Sequence, residues 1–298
     1  MAMFNLEDRF RGCLLGLAVG DALGAPVEGW TSAAIKERYG RLTEMADGRT
    51  TDDTALALCI ARSITDLRGW DLDDIGNRFL ERYRDDRRSM GPTTAHTLAQ
   101  VDKGFSFKDA ARAAHEALGG SATNGAAMRS APIALGRLRR MDLLTEDTLA
   151  CSKLTHWDES AGWAAVALNL AIVESMTGTA KADLIPEVSR GLEDRTVKEY
   201  VGRVEVMDAD DLSPTLHAPA SVQAALWCYL NTDSFEESVI TAVNLGGDTD
   251  TIAAMTGAIS GAAYGGAAIP ERWLEKLDRR AEIVGVCRML SWLAIEGY

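Results

Sequence analysis

Two short acidic motifs hold the side chains best suited to chemistry in this chain: Thr51-Asp52-Asp53-Thr54 and Asp248-Thr249-Asp250-Thr251. Hard divalent cations such as Mg²⁺ and Mn²⁺ take carboxylate and hydroxyl oxygens as ligands. Side chains adjacent in sequence converge on one site only from irregular backbone, such as the turn that opens a helix. Four carboxylates with flanking threonines suit a pair of such ions; without cations they would repel one another. Each motif alone also reads as an ordinary helix cap, because Thr and Asp accept hydrogen bonds from the first free N–H groups of a helix. The pair Gly246-Gly247 before Asp248 adds weight to the metal reading, since glycine lets backbone approach a ligand closely.

Three further segments carry polar groups in unusual settings. Gly16 to Glu28 is rich in glycine, but the spacing is wrong for a G-x-G-x-x-G fingerprint and no strand pattern precedes it. Its small residues fit a buried helix packed tightly on its neighbours, which leaves Asp21 and Glu28 unexplained. Ser121 to Arg129 reads as a loop turning into a helix. Free N–H groups there favour phosphate, although an Asn-Gly turn at Asn124-Gly125 is the plainer reading. His156 precedes an apolar helix, where a lone histidine is more often structural than catalytic. His96, His115 and His217 share no spacing with it, so there is no zinc pattern.

Helices must position these groups. Leu56, Ile60, Ile64 and Leu67 follow the first acidic motif at helical spacing, with Thr51 or Asp52 as the N-cap. The patterns predict helices over 109–118, 128–138, 159–176, 218–229, 236–245 and 281–293, and another through Ile252, Met255 and Ile259 that starts inside the second motif. No run alternates as a strand would. Residues 183–219 are polar and carry Pro186, Pro214 and Pro219; they read as loops and short helices on a single all-α domain spanning 1–298.

Composition sets the outer limits. The chain has 298 residues, 47% hydrophobic, enough for a large core. With 31 basic against 44 acidic residues, its net charge of −13 argues against a nucleic-acid surface and against docking on anionic membranes. An anionic ligand would therefore need local help from metal ions or helix N-termini. Five scattered cysteines with no C-x-x-C read as buried free thiols. The apolar run Cys13–Val19 lacks a basic region before it, is interrupted by Gly16 and is followed by Asp21, unlike a signal peptide. No stretch is expected to reach the ~20 apolar residues of a membrane span. The expectation is a cytoplasmic monomer.

Taken together, the segments resemble the ADP-ribosylglycohydrolase family, in particular its bacterial, dinitrogenase-reductase-activating branch. The matching pieces run in order: Arg11-Gly12, Gly20-Asp21-Ala22-Leu23-Gly24, Glu28, Thr51 to Thr54, Asn124 to Arg129, Thr155-His156 and Gly246 to Thr251. The resemblance implies an all-α fold with a binuclear Mg²⁺ or Mn²⁺ site. By matching position it implies Thr51, Asp52, Asp53, Asp248, Asp250 and Thr251 as metal ligands. Asn124, Gly125, Met128 and His156 would line an ADP-ribose cleft, with Ser121 beside it. Asp53 or Glu28 would be the acid/base, with Glu28 at the mouth. The substrate implied is an ADP-ribosylated protein, the product ADP-ribose, and the bond an N-glycosidic link to arginine. Ser121 departs from the branch, which has aspartate three residues before the Asn-Gly. That leaves other linkages open: serine, O-acetyl-ADP-ribose or nucleic acid. A non-catalytic ADP-ribose-binding protein and a two-metal phosphoesterase are the remaining alternatives.

Overall fold

The computed structural model describes residues 3–120 and 122–296 of the protein. Its first half is built from α1 (Met3–Gly24), α2 (Ser32–Tyr39), α3 (Asp52–Leu67), α4 (Leu72–Asp85), α5 (Pro92–Val101), α6 (Phe107–Ala117) and α7 (Ala131–Gly136). Next come α8 (Met141–Lys153), α9 (Glu159–Thr177), α10 (Lys181–Arg190) and α11 (Arg195–Arg203). The chain continues through α12 (Ala218–Leu230), α13 (Phe235–Asn244), α14 (Thr249–Tyr264), α15 (Glu271–Leu274) and α16 (Arg280–Glu296). Among the described residues there are no strands, only two isolated bridges, Thr31 with Gly246 and Thr123 with His217. The expected all-α class is what the structure shows.

The centre of the fold is the contact between α1 and α14. Gly12, Gly16, Gly20 and Gly24 recur every four residues, so they form one stripe along α1. The stripe lies directly on α14, running the opposite way. A Cβ on Gly12 would sit 2.1 Å from the Gly261 carbonyl oxygen, one on Gly16 2.2 Å from that of Gly257, and one on Gly20 2.0 Å from that of Ala253. At the end of the stripe, Thr249 Oγ1 donates to the Gly24 carbonyl at 2.9 Å. The apolar sides of both helices then join a single buried cluster that also takes in α3, α9, α12, α13 and α16. Arg9 pins α9 beside them, donating to the last carbonyls of that helix, Ser175 and Met176, at 3.0 Å each.

Two expectations change. Residues 6–27 are long and apolar enough to cross a membrane, with mean hydropathy 1.3, contrary to the reading that no stretch approaches a span. Inside this fold the segment is 83% buried, and its glycine stripe meets protein backbone. The helix expected over 128–138 is confined to α7. Pro132 lacks the N–H that would bond back to Met128, and Ala127 to Arg129 form a turn instead. The other predicted helices are found within a few residues of their expected bounds, while α2, α4, α5 and α8 had no predicted counterpart; Gly178 closes α9 at φ 95° as expected. Leu67 is the one member of its apolar row left exposed. Cys13, Cys151, Cys228 and Cys287 are buried free thiols, and Cys59 is half-buried.

The α1–α14 contact makes a direct prediction. Gly257→Ala would place its Cβ 2.0 Å from the Gly16 carbonyl oxygen. We expect a loss of about 3 kcal/mol from this overpacking. Gly285→Ala, in the exposed middle of α16 with open space around it, should instead gain about 0.5–1 kcal/mol. Urea denaturation of both variants tests the contact; equal effects would show that it is not as tight as described.

Candidate metal centre and cleft

The α1–α14 contact delivers two acids to one place. Asp21 lies near the end of α1 and Asp250 in the first turn of α14, and both are buried. Asp21 then gathers the first acidic motif. Its carboxylate accepts from the Thr51 N–H at 3.0 Å, from the Thr54 N–H at 3.1 Å and from the Thr54 hydroxyl at 2.5 Å. These bonds fix the turn in which Thr51 caps α3: Thr51 Oγ1 accepts from the Asp53 N–H at 3.3 Å and donates to Asp53 Oδ2 at 3.0 Å. Asp52 is held by the loop before α5, through the Gly91 N–H at 3.2 Å.

The second motif is positioned by its two glycines. Gly246 and Gly247 have φ of 78° and 73°, a left-handed backbone that other residues adopt with strain. A Cβ on Gly247 would lie 1.8 Å from the Pro214 carbonyl oxygen. The resulting turn bonds to both flanking loops: Gly247 N–H to the Trp30 carbonyl at 2.7 Å, and Asp248 N–H to the Pro214 carbonyl at 3.0 Å. In the same turn the Gly29 N–H donates to the Gly247 carbonyl at 2.8 Å, which places Glu28 next to Asp248. Asn124 donates through its side-chain amide to Asp248 Oδ2 and, at 2.9 Å, to Ser221 Oγ.

The acids therefore converge as the sequence motifs require. Asp21, Asp53 and Asp250 offer oxygens within 4.8 Å of one another, as do Glu28, Asp248 and Asp250. Asp250 belongs to both sets. Asp53 Oδ1 and Asp250 Oδ1 are buried with no hydrogen-bond partner. An unpaired buried carboxylate oxygen is costly, and a hard cation is the group this all-oxygen donor set fits.

Crowding and burial push every one of these acids upward. Burial, followed by the charges of Asp21, Asp250, Asp52 and Asp248, holds Asp53 well above the usual carboxylate range. Asp250 is pushed up to about 9, first by burial and then by Asp248, Glu28 and Asp21. Burial raises Asp21 and Asp52 to about 6 each, against hydrogen bonds that favour their charged forms. Asp248 and the exposed Glu28 are raised as well, both chiefly by burial, and Glu28 also by Asp248. His156 is buried and driven well below 6.5 by desolvation and by Arg129.

Above the acids opens a cleft of about 550 Å³. Glu28, Thr51, Asp52, Asp53, Asp248, Asp250 and Thr251 line its acidic end, and Asn124, Gly125, Met128 and His156 its far wall. A second lobe of about 950 Å³ shares Glu28, Pro92, Thr93, Thr123, Leu216 and Asp248 with it. The structure thus brings together the expected ligand and cleft residues except Ser121, which lies outside the described residues. Two contributions were not foreseen in the sequence. Asp21 organises the first motif, and its signal was an acid inside an apolar helix. The loop Arg88 to Gly91 walls the cleft and binds Asp52, and Pro92 at the start of α5 is the mark of that junction.

The model of the ADP-ribosylglycohydrolase family matches residues 4–297. The chain belongs to the ADP-ribosylglycohydrolase family. It is 31% identical to the ADP-ribosyl-dinitrogen reductase glycohydrolase of Rhodospirillum rubrum, over 93% of each chain. It is 27% identical to the ADP-ribosylarginine hydrolase Tri1 of Serratia proteamaculans, over 97% of this chain and 80% of that one. A solved structure titled as an ADP-ribosylglycohydrolase-related protein complex superposes with TM-score 0.82 at 32% identity, covering 98% of this chain and 99% of that one. The family's all-α fold and the buried acidic cluster agree with each other in this chain.

The raised acids predict how the metal-free protein responds to pH. Each binds its proton more tightly folded than unfolded. The stability this represents is complete below the ordinary value of 3.8, and is lost as pH rises through about 6 for Asp21 and Asp52 and about 9 for Asp250. In chelator-treated protein the melting temperature should therefore fall across this range. Asp250→Asn, which cannot ionise, should flatten the alkaline part of the fall. Thermal denaturation followed by circular dichroism checks this; a variant that falls as steeply as the parent would count against it.

Proposed function

We propose that this protein is a metal-dependent hydrolase that removes ADP-ribose from modified protein by cleaving the N-glycosidic bond to arginine. The observation that carries the reading is the pair of orphaned oxygens on Asp53 and Asp250, set among converging acids at the floor of the cleft. Two relatives whose names specify ADP-ribose hydrolysis, one of them from arginine, support the class of bond. The acidic lining of the second lobe, with Glu28, Asp158 and Asp248, suits a cationic guanidinium.

Thr51, Asp52, Asp53, Asp248, Asp250 and Thr251 would hold two divalent cations, Mg²⁺ or Mn²⁺. When bound, such cations orient ribose hydroxyls and acidify a water. The chain's own groups do the rest. Asp21 and Asn124 keep the two motifs in register by hydrogen bonding Thr51, Thr54 and Asp248. Breaking the bond between the anomeric carbon and the guanidinium nitrogen leaves the electron pair on nitrogen and builds oxocarbenium character on the sugar. Glu28, exposed at the mouth with a raised pKa, can give the leaving nitrogen a proton. Asp53, deeper in the site, can take the proton of the attacking water.

A panel of substrates tests the reading. Arginine-linked ADP-ribosyl protein should release intact ADP-ribose in a Mg²⁺- or Mn²⁺-dependent reaction. Asp53→Ala and Asp250→Ala should each lower kcat/KM at least about a hundredfold. A preference for serine-linked ADP-ribose, O-acetyl-ADP-ribose or modified nucleic acid would reassign the linkage, the reading that Ser121 favours. Release of AMP would point to a phosphoesterase, and tight ADP-ribose binding without turnover to a binding protein.

A further inference from the structure

We propose that Arg129 and Thr155 form a hydrogen-bonded relay that fixes His156 as the tautomer protonated on Nε2, making it a permanent neutral hydrogen-bond donor to the cleft. Arg129 follows the Asn124-Gly125 turn and is fully buried. It sits over the Phe79 ring, 4.6 Å from the centroid, with its Nε and Nη1 lacking any hydrogen-bond partner. Among the described residues, the hydrogen bonds of Arg129 go to no carboxylate. Its Nη2 donates to Thr155 Oγ1 at 2.6 Å and, more weakly, to the Cys151 carbonyl at 3.5 Å. Burying a guanidinium this way is costly for packing alone.

The proton count decides the tautomer. A guanidinium only donates, so Thr155 Oγ1 is the acceptor in that bond. The same hydroxyl lies 2.8 Å from His156 Nδ1. Thr155 is buried, and these two nitrogens are the partners of its hydroxyl. If Nδ1 carried the proton, Oγ1 would accept from both sides, and its own hydrogen would have no acceptor inside the protein. The balanced arrangement has Thr155 donating to a bare Nδ1. The imidazole proton then sits on Nε2.

Nε2 lies against Gly125, a residue of the cleft lining. His156 lines the cleft, and no described protein group bonds to this nitrogen. Gly125 makes room for it: a Cβ there would lie 2.9 Å from His156 Cε1 and 3.0 Å from Nε2. Burial and the Arg129 charge keep the ring neutral. A fixed neutral donor suits an oxygen acceptor, such as a phosphate or sugar oxygen, and excludes an acid/base role for His156. The choice of ADP-ribose as probe rests on the function proposed above; the tautomer does not.

Long-range ¹⁵N–¹H correlation spectra of the metal-free full chain read the tautomer directly, with His156→Gln assigning the signal. The parent protein should show Nε2 protonated. Thr155→Val should shift the signals toward a mixture with the Nδ1-protonated form and weaken ADP-ribose binding in calorimetry by about threefold to tenfold. Thr155→Ser should restore both. A parent protein protonated on Nδ1, or a Thr155→Val protein with an unchanged tautomer, overturns the relay. Should Thr155→Val not fold, the parent spectrum alone decides. Absence of ADP-ribose binding in the parent would count against the proposed function, while the spectra still decide the relay.

Discussion

Backbone contact between α1 and α14 is the constraint on which the rest of the structure depends. Helices normally pack 8–10 Å apart because side chains keep them there. Here glycine replaces those side chains every fourth residue on α1, and Gly257 and Gly261 answer on α14. The gain is precision. Two helix ends joined by rows of backbone contacts cannot slide, so Asp21 and Asp250 stand at a fixed separation. Everything at the site is referred to that separation: Asp21 fixes the turn that opens α3, and Asp250 joins the two groups of acids.

That precision holds together an arrangement unfavourable in itself. Burial and mutual repulsion act in the same direction on Asp53 and Asp250, and two of their oxygens find no donor. A fold that only needed caps for α3 and α14 would gain nothing from bringing both caps into contact. The site therefore shows its purpose through its cost. The far wall of the cleft is different in kind. It offers a neutral histidine and small residues, while the buried Arg129, bonded to Thr155, does not line it. One end of the cleft thus concentrates negative charge while the other presents donors and space.

How much of this the sequence made legible differs from element to element. Helices α3, α9, α12, α13, α14 and α16 were readable because each buries a periodic or continuous apolar face. Helix α4 was not, since its many charges mask the buried Ile75, Phe79 and Tyr83. Pro132 was visible, yet its power to end the turn before it depended on where the Asn124 segment had to go. The acidic motifs were legible as ligands only together, because each alone makes a good cap. Asp21 was legible as an anomaly and not as a role: what a buried carboxylate binds is decided by which segment the fold lays against it, and Thr51 lies thirty residues away in the chain. The proton relay through Thr155 was beyond reading, because hydrogen-bond direction is a property of three dimensions.

The bond from Thr249 to the Gly24 carbonyl joins residues 225 positions apart. Translation delivers α1 long before α14, so the glycine stripe spends most of synthesis without its partner. Until α14 arrives, a long apolar helix has an uncovered face, and the acids that will crowd together are still far apart and ionised in water. Closure of that contact is then the event that gives an ordinary helical chain its buried acidic cluster. Non-local contacts of this kind form slowly and leave apolar surface open to aggregation in the meantime. Assembly of the acidic cluster is thereby tied to one late helix pairing.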